Sequence, residues 1–114
     1  MTKVRDEGEN VETTASFVAL VIYPSTRSAQ VGQADTLLRM AEEAIRSMPG
    51  FVEGRLFLGE DGESVISMVE WRDRESFAQF RQSEFGRAGV QLVTELHPKA
   101  YYLRAYATVD SSVP

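Results

Sequence analysis

The stretch FVEGRLFLGEDGESVISMVEW, Phe51 to Trp71, decides the fold. Phe51 to Leu58 and Ser64 to Trp71 are rich in β-branched, aromatic and long apolar residues, as strands are. Between them Gly59-Glu60-Asp61-Gly62-Glu63 has turn chemistry, and Asp61-Gly62 is a pair that tight hairpins favour. The stretch therefore predicts an antiparallel hairpin. In the second strand, parity puts Val65, Ser67, Val69 and Trp71 on one face and Ile66, Met68 and Glu70 on the other. Ser67 is a hydroxyl among aliphatic residues, and Trp71 is the single tryptophan of the chain.

Outward from the hairpin, Ala15 to Tyr23 (ASFVALVIY) reads as a strand ending at Pro24-Ser25. Both its faces are largely apolar, as in a central strand. Ser28 to Met48 reads as a helix. Ala34, Leu37, Leu38, Ala41, Ala44, Ile45 and Met48 recur at helical spacing, and Pro49-Gly50 stops it. After the hairpin, Asp73 is the candidate cap of a second helix carrying Phe77 and Phe80, and this helix is short or broken near Gly86 and Gly89. Val90 to Leu96 reads as a further turn or two of helix, and Tyr101 to Val109 as the last strand. Residues 1–13 read as a flexible arm, 14–110 as one domain and 111–114 as a tail.

The order strand, helix, strand, strand, helix, strand predicts an α+β ferredoxin-like βαββαβ sandwich, with helices on one face of an antiparallel sheet. The hairpin and last strands have no clean polar face, so one layer of helices leaves apolar surface uncovered. A homodimer with stacked sheets follows as the expectation.

The chain has 114 residues, enough for one modest core. It has no cysteine, which excludes disulfides and thiolate ligands. A single histidine and scattered carboxylates give no metal-ligand spacing, and no glycine-rich nucleotide motif is present. The expectation is therefore no cofactor. With 17 acidic against 12 basic residues the net charge is −5, which disfavours a phosphate-backbone partner. No apolar run approaches the ~20 residues of a membrane span, and no apolar signal segment opens the chain. No nucleic acid, no membrane and a cytoplasmic location are expected.

If Ile66 and Met68 serve the dimer face, Ser67 and Trp71 face the helices, where a small domain either fills the space or leaves a pocket. Trp71 and Ser67 are the candidate catalytic pair. His97, the one side chain with an ordinary pKa near neutrality, is the candidate base. Phe77, Phe80 and Tyr101 are candidate aromatic walls for a flat ligand, and Arg81 and Arg87 candidate counter-charges for an enolate or phenolate.

The segment SMPGFVEGRLFLGEDGESVISMVEWRDRESFAQF, Ser47 to Phe80, resembles the antibiotic biosynthesis monooxygenase family of the dimeric α+β barrel superfamily. The resemblance spans roughly residues 15–109. It implies a ferredoxin-like chain that pairs into a dimeric α+β barrel. In the anthrone oxygenase branch it implies a cofactor-free reaction of an aromatic polyketide-type compound with dioxygen. That branch carries an Asn four residues before its Trp, where this chain has Ser67. One member carries a Tyr six residues after the Trp, where this chain has Phe77. The haem-degrading branch often carries its histidine on a helix, whereas His97 precedes the last strand. The resemblance thus points to oxygenation of an aromatic substrate. Two other readings stand beside it: polyketide cyclisation by aldol chemistry, and a non-catalytic binding dimer whose pocket Phe77, Phe80 and Trp71 close.

Overall fold

The computed structural model describes residues 16–112. The expected arm, residues 1–13, lies outside them, as do residues 113–114 of the tail. The elements are β1 (Phe17–Pro24), α1 (Gln30–Ala44), β2 (Phe51–Leu58), β3 (Ser64–Trp71), α2 (Arg74–Gln82), α3 (Glu84–Thr94) and β4 (Lys99–Arg104). The hairpin strands have the bounds that their composition predicts. The second helix is two helices, so the order is βαββααβ.

The sheet runs β2-β3-β1-β4, with every neighbouring pair antiparallel. This is the ferredoxin-like arrangement, but the expected α+β barrel is not what the chain forms. The four-stranded sheet is open, with β2 and β4 as its two edges. Four strands twist without curling far enough for their edges to meet, and a closed barrel filled by side chains takes about eight.

Register settles which side chains share a face. Phe17 pairs with Trp71, Ala19 with Val69, Val21 with Ser67 and Tyr23 with Val65. On the other side of β1, Ala19 pairs with Tyr102 and Leu20 with Tyr101. Tyr23, Leu37 and Val65 form the buried core between β1, α1 and β3, with Val21, Ala34 and Leu56 packed against them.

Polar contacts fix the helices on this face. The N-cap position of α1, Ala29, offers no side-chain oxygen. The next residue, the buried Gln30, instead donates from Nε2 to the carbonyls of Gly59 (2.8 Å) and Ser64 (2.9 Å), tying the helix start to the hairpin turn. At α2, Asp73 Oδ1 accepts from the backbone N–H (2.8 Å) and hydroxyl (2.7 Å) of Ser76. Those two bonds, with a smaller contribution from Arg72, hold the Asp73 carboxyl below its ordinary pKa of 3.8. Gly50, at φ +84°, lies so close to Ser76 that a side chain there would collide with it. The expected helix through Met48 ends earlier, at Ala44, where the Ile45 and Arg46 N–H groups both close on the Ala41 carbonyl; Gly50 serves to seat α2.

The break between α2 and α3 is at Ser83. Its hydroxyl donates to the Phe80 carbonyl (2.6 Å) and accepts from the Gly86 N–H (3.0 Å), closing one helix and opening the next. Gly86 is buried against the Phe80 carbonyl, where a Cβ has no room. Among the described residues no helix is long and apolar enough to cross a membrane.

Candidate active site

Between the sheet and the helices lies an open cavity of about 900 Å³. That is within the range of small-molecule sites, roughly 300–1,000 Å³. Its floor comes from all four strands, among them Val21 of β1, Leu56 of β2, Ser67 of β3 and Tyr102 of β4. One wall is α1, through Leu37 and Ala41. The opposite wall is α2 and α3, through Phe77, Phe80 and Phe85. The split between α2 and α3 breaks the second wall, and Phe85 remains 59 % exposed at its edge.

Trp71 closes the β3 end of the cavity at 1 % exposure. Its indole stacks on Phe80 (centroids 5.3 Å apart, 27° between planes) and meets Phe51 and Phe77 edge-on at 5.9 and 6.1 Å. Its indole N–H has no acceptor among the described residues. Ser67, one helical-face position before Val69 on the same strand, borders the cavity, and its hydroxyl likewise makes no hydrogen bond with the described residues. A polar group that the fold itself does not satisfy is available to a ligand.

A second polar point lies on β4 and α2. Arg81 Nη1–H donates to the Tyr102 hydroxyl at 3.2 Å, and its guanidinium lies 5.7 Å from the Phe77 ring centroid. Tyr102 also packs on Phe77 and Phe17 at 5.5 and 6.0 Å. A guanidinium held on an aromatic face beside a cavity can neutralise an oxyanion without leaving solvent.

Of the residues singled out in the sequence, the structure brings Trp71, Ser67, Phe77, Phe80 and Arg81 to this one cavity. His97, Arg87 and Tyr101 are not among its lining residues. His97 sits exposed in the turn before β4 at φ +53°. Arg87 is on an exposed face of α3. Tyr101 belongs to the other sheet face, opposite Leu20, and its neighbour Tyr102 takes the place by the cavity. Among the lining residues that the candidate list lacked are two tyrosines, Tyr102 and Tyr23. For Tyr102 the available signal was strand parity, which needs the register of β4 against β1. Among the described residues no three His, Asp or Glu side chains gather as a metal site.

The sequence of residues 18–92 matches the antibiotic biosynthesis monooxygenase family, and the chain belongs to that family. It is 42 % identical over 61 residues to tetracenomycin-F1 monooxygenase of Streptomyces glaucescens, which is 54 % of this chain and 54 % of that one. The chain thus spans about half the length of the curated relative it matches. Its fold is similar to that of a monooxygenase from the gene ActVA-Orf6 of Streptomyces coelicolor, solved with nanaomycin D. The TM-score is 0.72 at 22 % identity, over 87 % of this chain and 95 % of that one. It is also similar to SnoaB, a cofactor-independent oxygenase from Streptomyces nogalater. There the TM-score is 0.59 at 18 % identity, over 88 % and 96 % of the two chains.

Proposed function

We propose that the protein is a cofactor-independent oxygenase of an aromatic, polyketide-type intermediate. The observation that carries this reading is the cavity itself: aromatic walls, with the unpartnered Ser67 hydroxyl and Trp71 beside them. Membership of the family and the activities named for its relatives support it.

The chemistry follows from the substrate class. A CH₂ group between two aromatic rings and conjugated to a ring carbonyl loses a proton readily, because the charge moves onto the carbonyl oxygen. Ser67 stabilises that oxyanion, and a donor acts most where charge develops; the indole N–H of Trp71, four residues further along β3, donates to a second oxygen of the ligand. Arg81 adds positive charge at the far side. The carbanion supplies electrons to dioxygen and a carbon–oxygen bond forms. The O–O bond then breaks as the same carbon gives up its second proton, so that water leaves and the carbon becomes a ketone. The substrate is oxidised, one oxygen atom enters it and the other is reduced to water, so no further reductant is required. The proton departs to solvent through the open side of the cavity.

The rival in which Phe77, Phe80 and Trp71 close the pocket meets a cavity of about 900 Å³ that the three rings line without filling. The functional unit in this reading is a homodimer. Val18, Leu20, Ile66 and Met68 share the sheet face away from the helices with Phe57, Tyr101 and Leu103, of which the last three are each more than a third exposed. A second copy on that face would remove this apolar surface from water.

Dithranol, a tricyclic anthrone, tests the reading with an oxygen electrode. One dioxygen is consumed per anthrone, at a rate well above the uncatalysed one. Uptake at the uncatalysed rate, or loss of water from a polyketide-type substrate without oxygen uptake, contradicts it.

A further inference from the structure

Tyr23 is the other lining tyrosine that the candidate list lacked. It ends β1, just before Pro24, and is 6 % exposed between Leu37 and Val65. It borders the cavity. Its hydroxyl makes no hydrogen bond with the described residues. Buried phenols ordinarily have a partner, so a phenol left free at a cavity wall calls for one from outside the fold. Burial alone pushes its pKa above the ordinary 10.0. The group therefore stays protonated at neutral pH and can donate.

Register places Tyr23 beside Ser67. Tyr23 pairs with Val65 and Val21 with Ser67, so Tyr23 and Ser67 are diagonal neighbours on one sheet face, with Cα atoms roughly 7–8 Å apart. One is a short donor on β3 and the other a long donor on β1. Both border the same cavity.

We propose that Tyr23 is a ligand-binding residue which, together with Ser67, forms a two-donor seat for the ring carbonyl oxygen of the aromatic ligand. The ligand then enters with its carbonyl toward the Tyr23 end, away from the Arg81–Tyr102 pair. Selection follows: the seat favours ligands that carry an acceptor oxygen there over ligands that lack one, because an unmet buried donor is costly. This inference rests on the proposed aromatic-ligand reading of the cavity, though not on oxygen being consumed.

The test is the affinity of the full chain and of Tyr23→Phe for two probes, measured without oxygen by quenching of Trp71 fluorescence. The probes are dithranol and its counterpart with the ring carbonyl replaced by CH₂. The wild type binds dithranol more tightly than the counterpart. Tyr23→Phe binds dithranol roughly tenfold more weakly, binds the counterpart as the wild type does, and melts no lower than the wild type. Unchanged dithranol affinity overturns the proposal. So does an equal loss for both probes, since the loss is then one of shape. A clear fall in melting temperature also overturns it, because the hydroxyl then has a partner inside the fold. A wild type that binds neither probe overturns both this proposal and the aromatic-ligand reading. A wild type that binds and discriminates as expected, yet consumes no oxygen in air, sinks the oxygenase reading and leaves Tyr23 in its role.

Discussion

The indole of Trp71 stacks on the ring of Phe80, 5.3 Å between centroids and 27° between planes. Trp71 belongs to the sheet and Phe80 to the last turn of α2, so one contact couples the cavity floor to its broken wall. With Phe51 and Phe77 edge-on, the indole is held on several sides, and its orientation is set before any ligand arrives.

Trp71→Phe keeps an aromatic ring in this cluster and removes the indole donor. Its cost to stability stays well below the about 3–5 kcal/mol of Trp71→Ala. Its kcat/KM for dithranol falls at least roughly tenfold. Melting curves and steady-state rates on the two variants check this. An activity loss that merely follows the stability loss makes Trp71 a packing residue only.

Ser67→Ala removes a hydroxyl that the fold does not use. Stability changes by no more than about 0.5 kcal/mol. Because the hydroxyl seats the carbonyl and holds it more strongly as charge develops, kcat falls roughly 10²-fold and KM rises by a smaller factor. A variant with wild-type kcat takes Ser67 out of the mechanism.

Much of this arrangement was legible in the sequence, for identifiable reasons. The hairpin has a turn that its residues dictate, and a strand facing helices on one side has only one register that buries Val65 and Trp71. A break in the second helix was expected near Gly86 and Gly89, but it falls at Ser83 and both glycines lie inside α3. Its cause, the two hydrogen bonds of the Ser83 hydroxyl, was not legible, because a serine after a polar turn resembles any other. The last strand was read too long. Alternation continues through Val109, yet pairing stops where β1 runs out: Arg104 meets Phe17, and the Ala105 N–H donates to Ser16. Tyr101 was chosen over Tyr102 because two adjacent tyrosines carry no sign of which one faces the helices. His97 stood out for its chemistry, and its place in the turn before β4 leaves it out of the cavity lining.

Asp73→Asn tests how α2 is seated. The folded pKa is depressed, so the carboxylate's contribution is fully present above the unfolded value and is lost as pH falls through the folded one. The wild type therefore melts higher than the variant at neutral pH, and the two converge as the solution is taken to strongly acid pH. A constant difference across the acid range means that the carboxylate charge at the cap contributes nothing.

Ile66→Ala and Met68→Ala probe the other sheet face. For a homodimer built on it, each weakens association by about 2–5 kcal/mol where the side chain is fully packed and leaves the cavity unaltered. Sedimentation equilibrium gives twice the chain mass of 12.7 kDa for the wild type and a shift toward monomer for the variants. A monomeric wild type at micromolar concentration rejects the dimer.

The central claim is that the cavity beside Trp71 and Ser67 inserts an atom of dioxygen into an aromatic substrate. Turnover of dithranol under heavy-oxygen-labelled dioxygen, followed by mass spectrometry, tests it most directly. The account predicts that the product has gained one oxygen and lost two hydrogens and that the new ketone carries the label. It also predicts that Ser67→Ala slows label incorporation. A product without label, or labelled product formed no faster than in the absence of protein, contradicts it.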